Sequence, residues 1–205
     1  MAAAEGAPAA DAAAAGRPEA EPKGFAGKPW FWWPWPLLVA ADLWSKAAVF
    51  GFLEEQARLR NVLHLEENHR PPYLIFDGVV RFDLVSWGNT GTIWGLGQNA
   101  TLPLIVLRCC AVVGLLWFLR NTNRAARLQQ LVLGLILAGA LGNLYDNFVR
   151  ADRSVRDFLR FSGTWPRAWE FPAFNVADSC ITVGAIGLFL LLWREDRASG
   201  KKRVS

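Results

Sequence analysis

Apolar residues fall into four long runs separated by polar stretches, and each run is close to the ~20 residues a helix needs to cross a bilayer. The first predicted span begins at Pro34 or Pro36, since proline is tolerated in a first helical turn, and ends at Leu53. The second runs from Thr101 to Leu119, the third from Leu128 to about Val149 and the fourth from Phe174 to Trp193. Ahead of the first span, Trp30, Trp32, Trp33 and Trp35 form an aromatic cluster suited to the headgroup region, which marks one membrane interface. Residues 54–100 are mixed: Pro71 and Pro72 interrupt them, and the alternation from Val79 to Val85 predicts a strand. The expected fold class is an all-α membrane protein, four transmembrane helices with a small extracytoplasmic β-rich module at residues 54–100.

Composition supports the membrane reading, because 53% of the 205 residues are hydrophobic, more than an ordinary soluble domain carries. A net charge of +4 raises the question of nucleic acid, but 17 of the 22 basic residues are arginines spread along the chain without a basic aromatic motif, so no nucleic-acid partner is expected. Residues 1–29 are rich in Ala, Pro, Gly and Glu and predict a disordered tail; they lack the basic start and Leu-rich core of a cleavable signal peptide. Residues 30–194 form the membrane domain and 195–205 a basic tail. With four spans both termini lie on one side, where the tails and the short loop between spans two and three hold eleven basic residues against nine in the two opposite loops. The short loop with Arg120, Arg124 and Arg127 favours cytoplasmic termini, leaving residues 54–100 and 150–173 outside. Cys109, Cys110 and Cys180 lie in apolar runs and read as small hydrophobes, and the spacing of His64 and His69 matches no metal signature.

Ionisable groups within or at the edge of membrane spans are costly, so they are the candidates for function. In the third span Asn143, Asp146, Asn147 and Arg150 fall at i, i+3, i+4 and i+7, one helical face that must meet protein or water. Taken alone, this stripe fits a buried network that fixes helix packing. Asp157 follows that span and Asp178 opens the next, and the loop between can return both to one interface. Two carboxylates held close share one proton, so that one can take a proton from water while the other donates to a carbonyl oxygen. By spacing alone, Asp178 reads rather as a helix N-terminal carboxylate favoured by the dipole, and Asp157 as a surface charge between Arg156 and Arg160.

Five ordered motifs go further: Asp42-Leu-Trp-Ser-Lys46; Asn89-Thr-Gly91-Thr-Ile-Trp94-Gly95; Gly142-Asn143-Leu-Tyr-Asp146; Val155-Arg-Asp157-Phe158; and Phe171-Pro172-Ala-Phe174-Asn175-Val-Ala177-Asp178-Ser179. In this order the chain after residue 34 resembles the lipoprotein signal peptidases (signal peptidase II). The resemblance implies a membrane aspartyl endopeptidase of the bacterial cytoplasmic (inner) membrane, which removes signal peptides from prolipoproteins by cutting before the diacylglyceryl-modified cysteine. It implies Asp157 and Asp178 as the catalytic pair. Asn89, Gly91, Asn143, Asn175 and Asp146 bind substrate or support the pair, and Asp42 and Lys46 are structural. No metal or organic cofactor is required, the partners are prolipoprotein and membrane lipid, and a monomer is expected.

The chain departs from the family pattern at Asn147, where arginine is usual, and in a segment before Val155 two residues longer than usual. Arg150, one turn further along the same face, is expected to supply the missing guanidinium as a structural residue. Thr92 and Ile93 replace a small pair after Gly91. Two other functions compete with the protease: a transporter or channel subunit with Asp42, Lys46, Asn143 and Asp146 as an ion relay, and an inactive scaffold. The relay makes the deep residues essential, whereas the protease makes Asp157 and Asp178 essential.

Overall fold

The structure, a computed structural model, describes residues 24–91 and 101–204, with side chains through residue 197. Residues 1–23 of the expected tail, and Thr92, Ile93, Trp94 and Gly95 of the second motif, lie outside the described residues. A short helix α1 (Pro29–Trp32) leads into α2 (Pro34–Leu59), and α3 (Thr101–Asn121), α4 (Arg127–Val149) and α5 (Val176–Val204) complete the helices. Among the described residues, four candidate spans are long and apolar enough to cross a membrane. α4 is the central one, with its small and polar positions covered by neighbours on several sides, while α3 buries only Ile105 and Leu119.

Gly24 and Lys28, just ahead of the first span, bond to the end of α3. Lys28 is buried and donates to the carbonyls of Leu119 and Arg120 at the end of α3, satisfying orphan acceptors at that helix terminus. Phe31 packs beside it with Leu119, Leu133 and Leu137, and Trp35 of the expected interfacial cluster packs against this core. Trp30, Trp32 and Trp33 remain exposed, as a headgroup position requires.

The description all-α is corrected by a four-stranded antiparallel sheet, in the order β1 (Tyr73–Phe76), β2 (Val80–Asn89), β3 (Val155–Gly163), β4 (Trp169–Glu170). The strand expected near Val79 is β2, and a 3-10 turn at Glu67–His69 precedes the sheet. β3 was expected to be a connecting loop. It carries Arg156, Asp157 and Arg160, whose charges obscure its alternation, and pairing with β2 extends it. The register Leu84↔Leu159 followed by Trp87↔Asp157 places one extra residue in β2, a bulge. Because side chains alternate, that residue keeps Asn89 on the same face as Asp157.

Candidate active site

Asp178 is placed by the start of α5. Asn175 caps the helix, its Oδ1 accepting from the Asp178 N–H at 2.9 Å, while an Asp178 carboxylate oxygen accepts from the Asn175 N–H at 3.2 Å. This reciprocal pair is a capping box built from Asn and Asp. The preceding residue, Phe174, forms a bridge with Leu159 of β3, with N–H···O distances of 2.9 and 3.0 Å. That bridge sets the head of α5 beside the strand that carries Asp157.

Asn175 then joins the two carboxylates. Its Nδ2 donates to Asp157 Oδ1 at 2.7 Å and to the Arg156 carbonyl and Asn143 Oδ1 at 3.2 Å. Asn143 Nδ2 donates to the other Asp178 oxygen at 2.8 Å, and Asn89 Nδ2 to Asp157 Oδ2 at 2.8 Å. Gly91 closes the Asn89 turn, its N–H donating to Asn89 Oδ1 at 2.8 Å. Asp157 is 2% exposed, and this burial, followed by the negative charge of Asp178, pushes its pKa up to about 8. The arrangement is a buried carboxyl pair whose oxygens are oriented by amide donors, able to hold a proton at neutral pH.

Beneath this pair lies a closed ion network. Lys46 contacts Asp42 at 2.7 Å and Asp146 at 3.2 Å, and donates to Asn143 Oδ1 at 3.0 Å. Asp42 also accepts from the Ala177 N–H at 2.8 Å, so α2 helps to cap α5. Arg156 clasps Asp146 through Nη2 at 2.6 Å, Nε at 3.0 Å and its backbone N–H at 3.0 Å. Gly142 permits this closeness: a Cβ there would run into the Asp42 carboxylate and the Ala177 side chain.

Asp42, Lys46, Asn89, Gly91, Asn143, Asp146, Asp157, Asn175 and Asp178 are therefore brought into one network. Arg150 is not. α4 ends at Val149, and the Arg150 guanidinium turns outward to Glu67 at 2.9 Å, Asp152 at 3.2 Å and Ser154 at 3.0 Å. Arg156 is the guanidinium on Asp146, and Arg108 of α3 is the one on Asn147, with Nη1···Oδ1 at 2.5 Å. Arg156 lies in the fourth motif beside Asp157, and Arg108 is a charge inside the apolar run of the second span; their partners depend on packing that spacing does not reveal.

The family model of signal peptidase (SPase) II matches residues 36–194. The chain is similar to a lipoprotein signal peptidase of Geobacillus thermodenitrificans, 31% identical over 156 residues, 75% of this chain and 82% of that one. It is 31% identical to that of Halalkalibacterium halodurans over 157 residues, 77% of this chain and 95% of that one. It is also similar in fold to a bacterial membrane enzyme solved by the in meso method at 2.3 Å resolution, with a TM-score of 0.63 and 20% identity over 85% of this chain and 92% of that chain.

Proposed function

The chain belongs to the signal peptidase II family, and from that premise we propose that Asp157 and Asp178 are the catalytic dyad with which this prolipoprotein signal peptidase cleaves its substrate. The observation that carries this assignment is Asn175, which donates to Asp157 while forming a capping box with Asp178. It gives two carboxyl groups of different backbone origin one shared anchor. With one proton between them, the ionised carboxylate takes a proton from water as the oxygen attacks the scissile carbonyl carbon. The protonated carboxyl donates to the carbonyl oxygen, giving a tetrahedral diol. Its collapse breaks the C–N bond, and the leaving amine of the cysteine takes up a proton from the dyad.

Asn89, Gly91, Asn143 and Asn175 orient the dyad and receive the extended substrate backbone. Asp146 supports them through Arg156, while Asp42 and Lys46 hold α2, α4 and α5 together. The sheet lies over the site as a clamp for the peptide. Residues 30–194 act as the peptidase domain, with residues 1–29 and 195–205 as cytoplasmic tails. The excess of basic residues on the side of both termini supports this orientation. The dyad then works at the extracytoplasmic interface, where water reaches it and the substrate's acyl chains remain in lipid between helices. The enzyme acts as a monomer, leaving its lipid-facing gaps open.

Purified protein in detergent, given a diacylglyceryl prolipoprotein and the same precursor without its lipid, tests the substrate class. The expected result is cleavage immediately before the lipidated cysteine, with the unlipidated precursor cut at least ten times more slowly, about 1.4 kcal/mol of discrimination. Equal rates on both precursors, or a cut elsewhere, would contradict it.

A further inference from the structure

Among the described residues, α3 has little protein around it. Its inward positions Ile105, Arg108, Val112, Leu115 and Leu119 recur every three or four residues, and one of the five is a guanidinium. Arg108 lies roughly 10 Å along the helix from Thr101, at 1.5 Å per residue, where a charge within a membrane span requires a compensating partner. Its hydrogen bond goes to Asn147 Oδ1 at 2.5 Å. Asn147 is itself fixed, since its Nδ2 donates to the Arg153 carbonyl at 2.6 Å, so the amide oxygen is what it presents to α3. A neutral amide orients a guanidinium without cancelling its charge. Asn147 lies one turn along α4 from Asn143, whose Nδ2 donates to an Asp178 oxygen at 2.8 Å, so the bond to Asn147 holds the Arg108 guanidinium against the face of α4 that meets the dyad.

The other charges around the dyad are accounted for among the described residues. From α2 and α4, Asp42 and Asp146 meet Lys46, and Asp146 also meets Arg156 of β3: two carboxylates against two cations. Arg150 at the end of α4 is held by Glu67 and Asp152. On the sheet, Asp83 of β2 is bound by Arg81 and Arg160, and Arg160 also reaches Glu170 of β4. A dyad with one ionised carboxylate therefore leaves a single negative charge unbalanced. Lys46 lies beneath the dyad but is bound by Asp42 and Asp146, and the Arg153 side chain is exposed at the surface, whereas Arg108 is a half-buried cation whose hydrogen bond goes to a neutral amide.

On the reading of Asp157 and Asp178 as the dyad, we propose that Arg108 is a positioning residue for the reaction: from α3 it supplies the positive charge that balances the singly ionised dyad, with Asn147 as the bracket that aims it. This assigns to α3 a part in the chemistry beyond closing the bundle. It also explains why Asn147 is buried at the level of the site although it touches neither aspartate.

The test is the pH dependence of kcat/KM for lipidated precursor, with protein in detergent and folded yield checked by thermal denaturation. Arg108→Gln removes the charge, and both limbs of the profile move to higher pH by about one unit. One unit below the wild-type acidic limb the variant is then about tenfold slower than wild type, while on the alkaline limb it is equal or faster. Arg108→Lys keeps both limbs in place at a reduced rate. Asn147→Asp retains the bond but cancels the charge, and shifts the limbs in the same direction as Arg108→Gln, so the test survives if one variant fails to fold. The exchanged pair, Arg108→Asn with Asn147→Arg, restores the guanidinium and the wild-type limbs. Rates lowered equally at every pH, with the limbs unmoved, would make Arg108 a packing residue only and overturn the proposal. Asp178→Asn, assayed alongside, separates the two ideas: if it remains active, the dyad assignment fails whatever Arg108 does.

Discussion

Asn175 is the residue on which the site converges, because its two amide ends serve different carboxylates. Asn, unlike Asp, offers both a donor and acceptors, and both are needed where one end caps a helix and the other bonds a carboxyl. The raised pKa of Asp157, about 8, has burial as its main cause and Asp178 as the second. The sign of its effect follows directly. The folded protein keeps this proton while the unfolded chain loses it near pH 4, so this group's contribution to stability falls as pH rises from about 4 to about 8. On the proposed mechanism, the proton that the dyad shares is the one donated to the carbonyl. Cleavage is expected to hold up to about pH 8 and then to fall about tenfold per pH unit, measured as kcat/KM against pH with enzyme stability checked at each point. A rate still rising at pH 10 would contradict a proton-donating carboxyl. At this scale the sequence was informative where a polar residue interrupts an apolar run, as at Asp42, Asn143 and Asp178. It was uninformative about which cation meets which anion: Arg150 lies on the right helical face, but α4 ends there and its long side chain follows Glu67 and Asp152 outward.

Two elements set the geometry that those residues use. The β2 bulge turns Asn89 toward Asp157, and the Leu159↔Phe174 bridge ties β3 to the head of α5. Neither is legible in a one-dimensional pattern, because a bulge is a mismatch between two strands, and β3 alternates poorly until its partner is known. The helices were legible, since long apolar runs with polar ends have few other uses, although α2 continues to Leu59 past the apolar stretch. Packing at this scale depends on Gly142, where α4 meets α2 and α5. Gly142→Ala places a methyl group against the Asp42 carboxylate and Ala177, so it is expected to cost about 1–3 kcal/mol and lower the melting temperature in detergent. Cleavage should fall with it, because Asp42 caps the helix that presents Asp178. Gly114→Ala is the control: nothing lies within 4 Å of an added Cβ, and it should leave melting and cleavage within about 0.5 kcal/mol of wild type or slightly stabilised. Equal effects at the two positions would contradict this account of the helix packing.

Across the whole molecule, a multi-pass membrane domain surrounds one polar core whose deep charges neutralise one another. That closure is poorly suited to an ion relay, which needs groups free to exchange charge, and well suited to a rigid base beneath a reacting carboxyl pair. The most direct measurement of the central claim uses Asp157→Asn and Asp178→Asn, each nearly isosteric with the native residue, purified to the same folded yield as wild type. Each is assayed for cleavage of lipidated precursor at pH 7. The prediction is that wild type cuts before the lipidated cysteine and that each variant is slower by about a thousandfold or more. Cleavage by either variant within tenfold of wild type would contradict the dyad and the mechanism built on it.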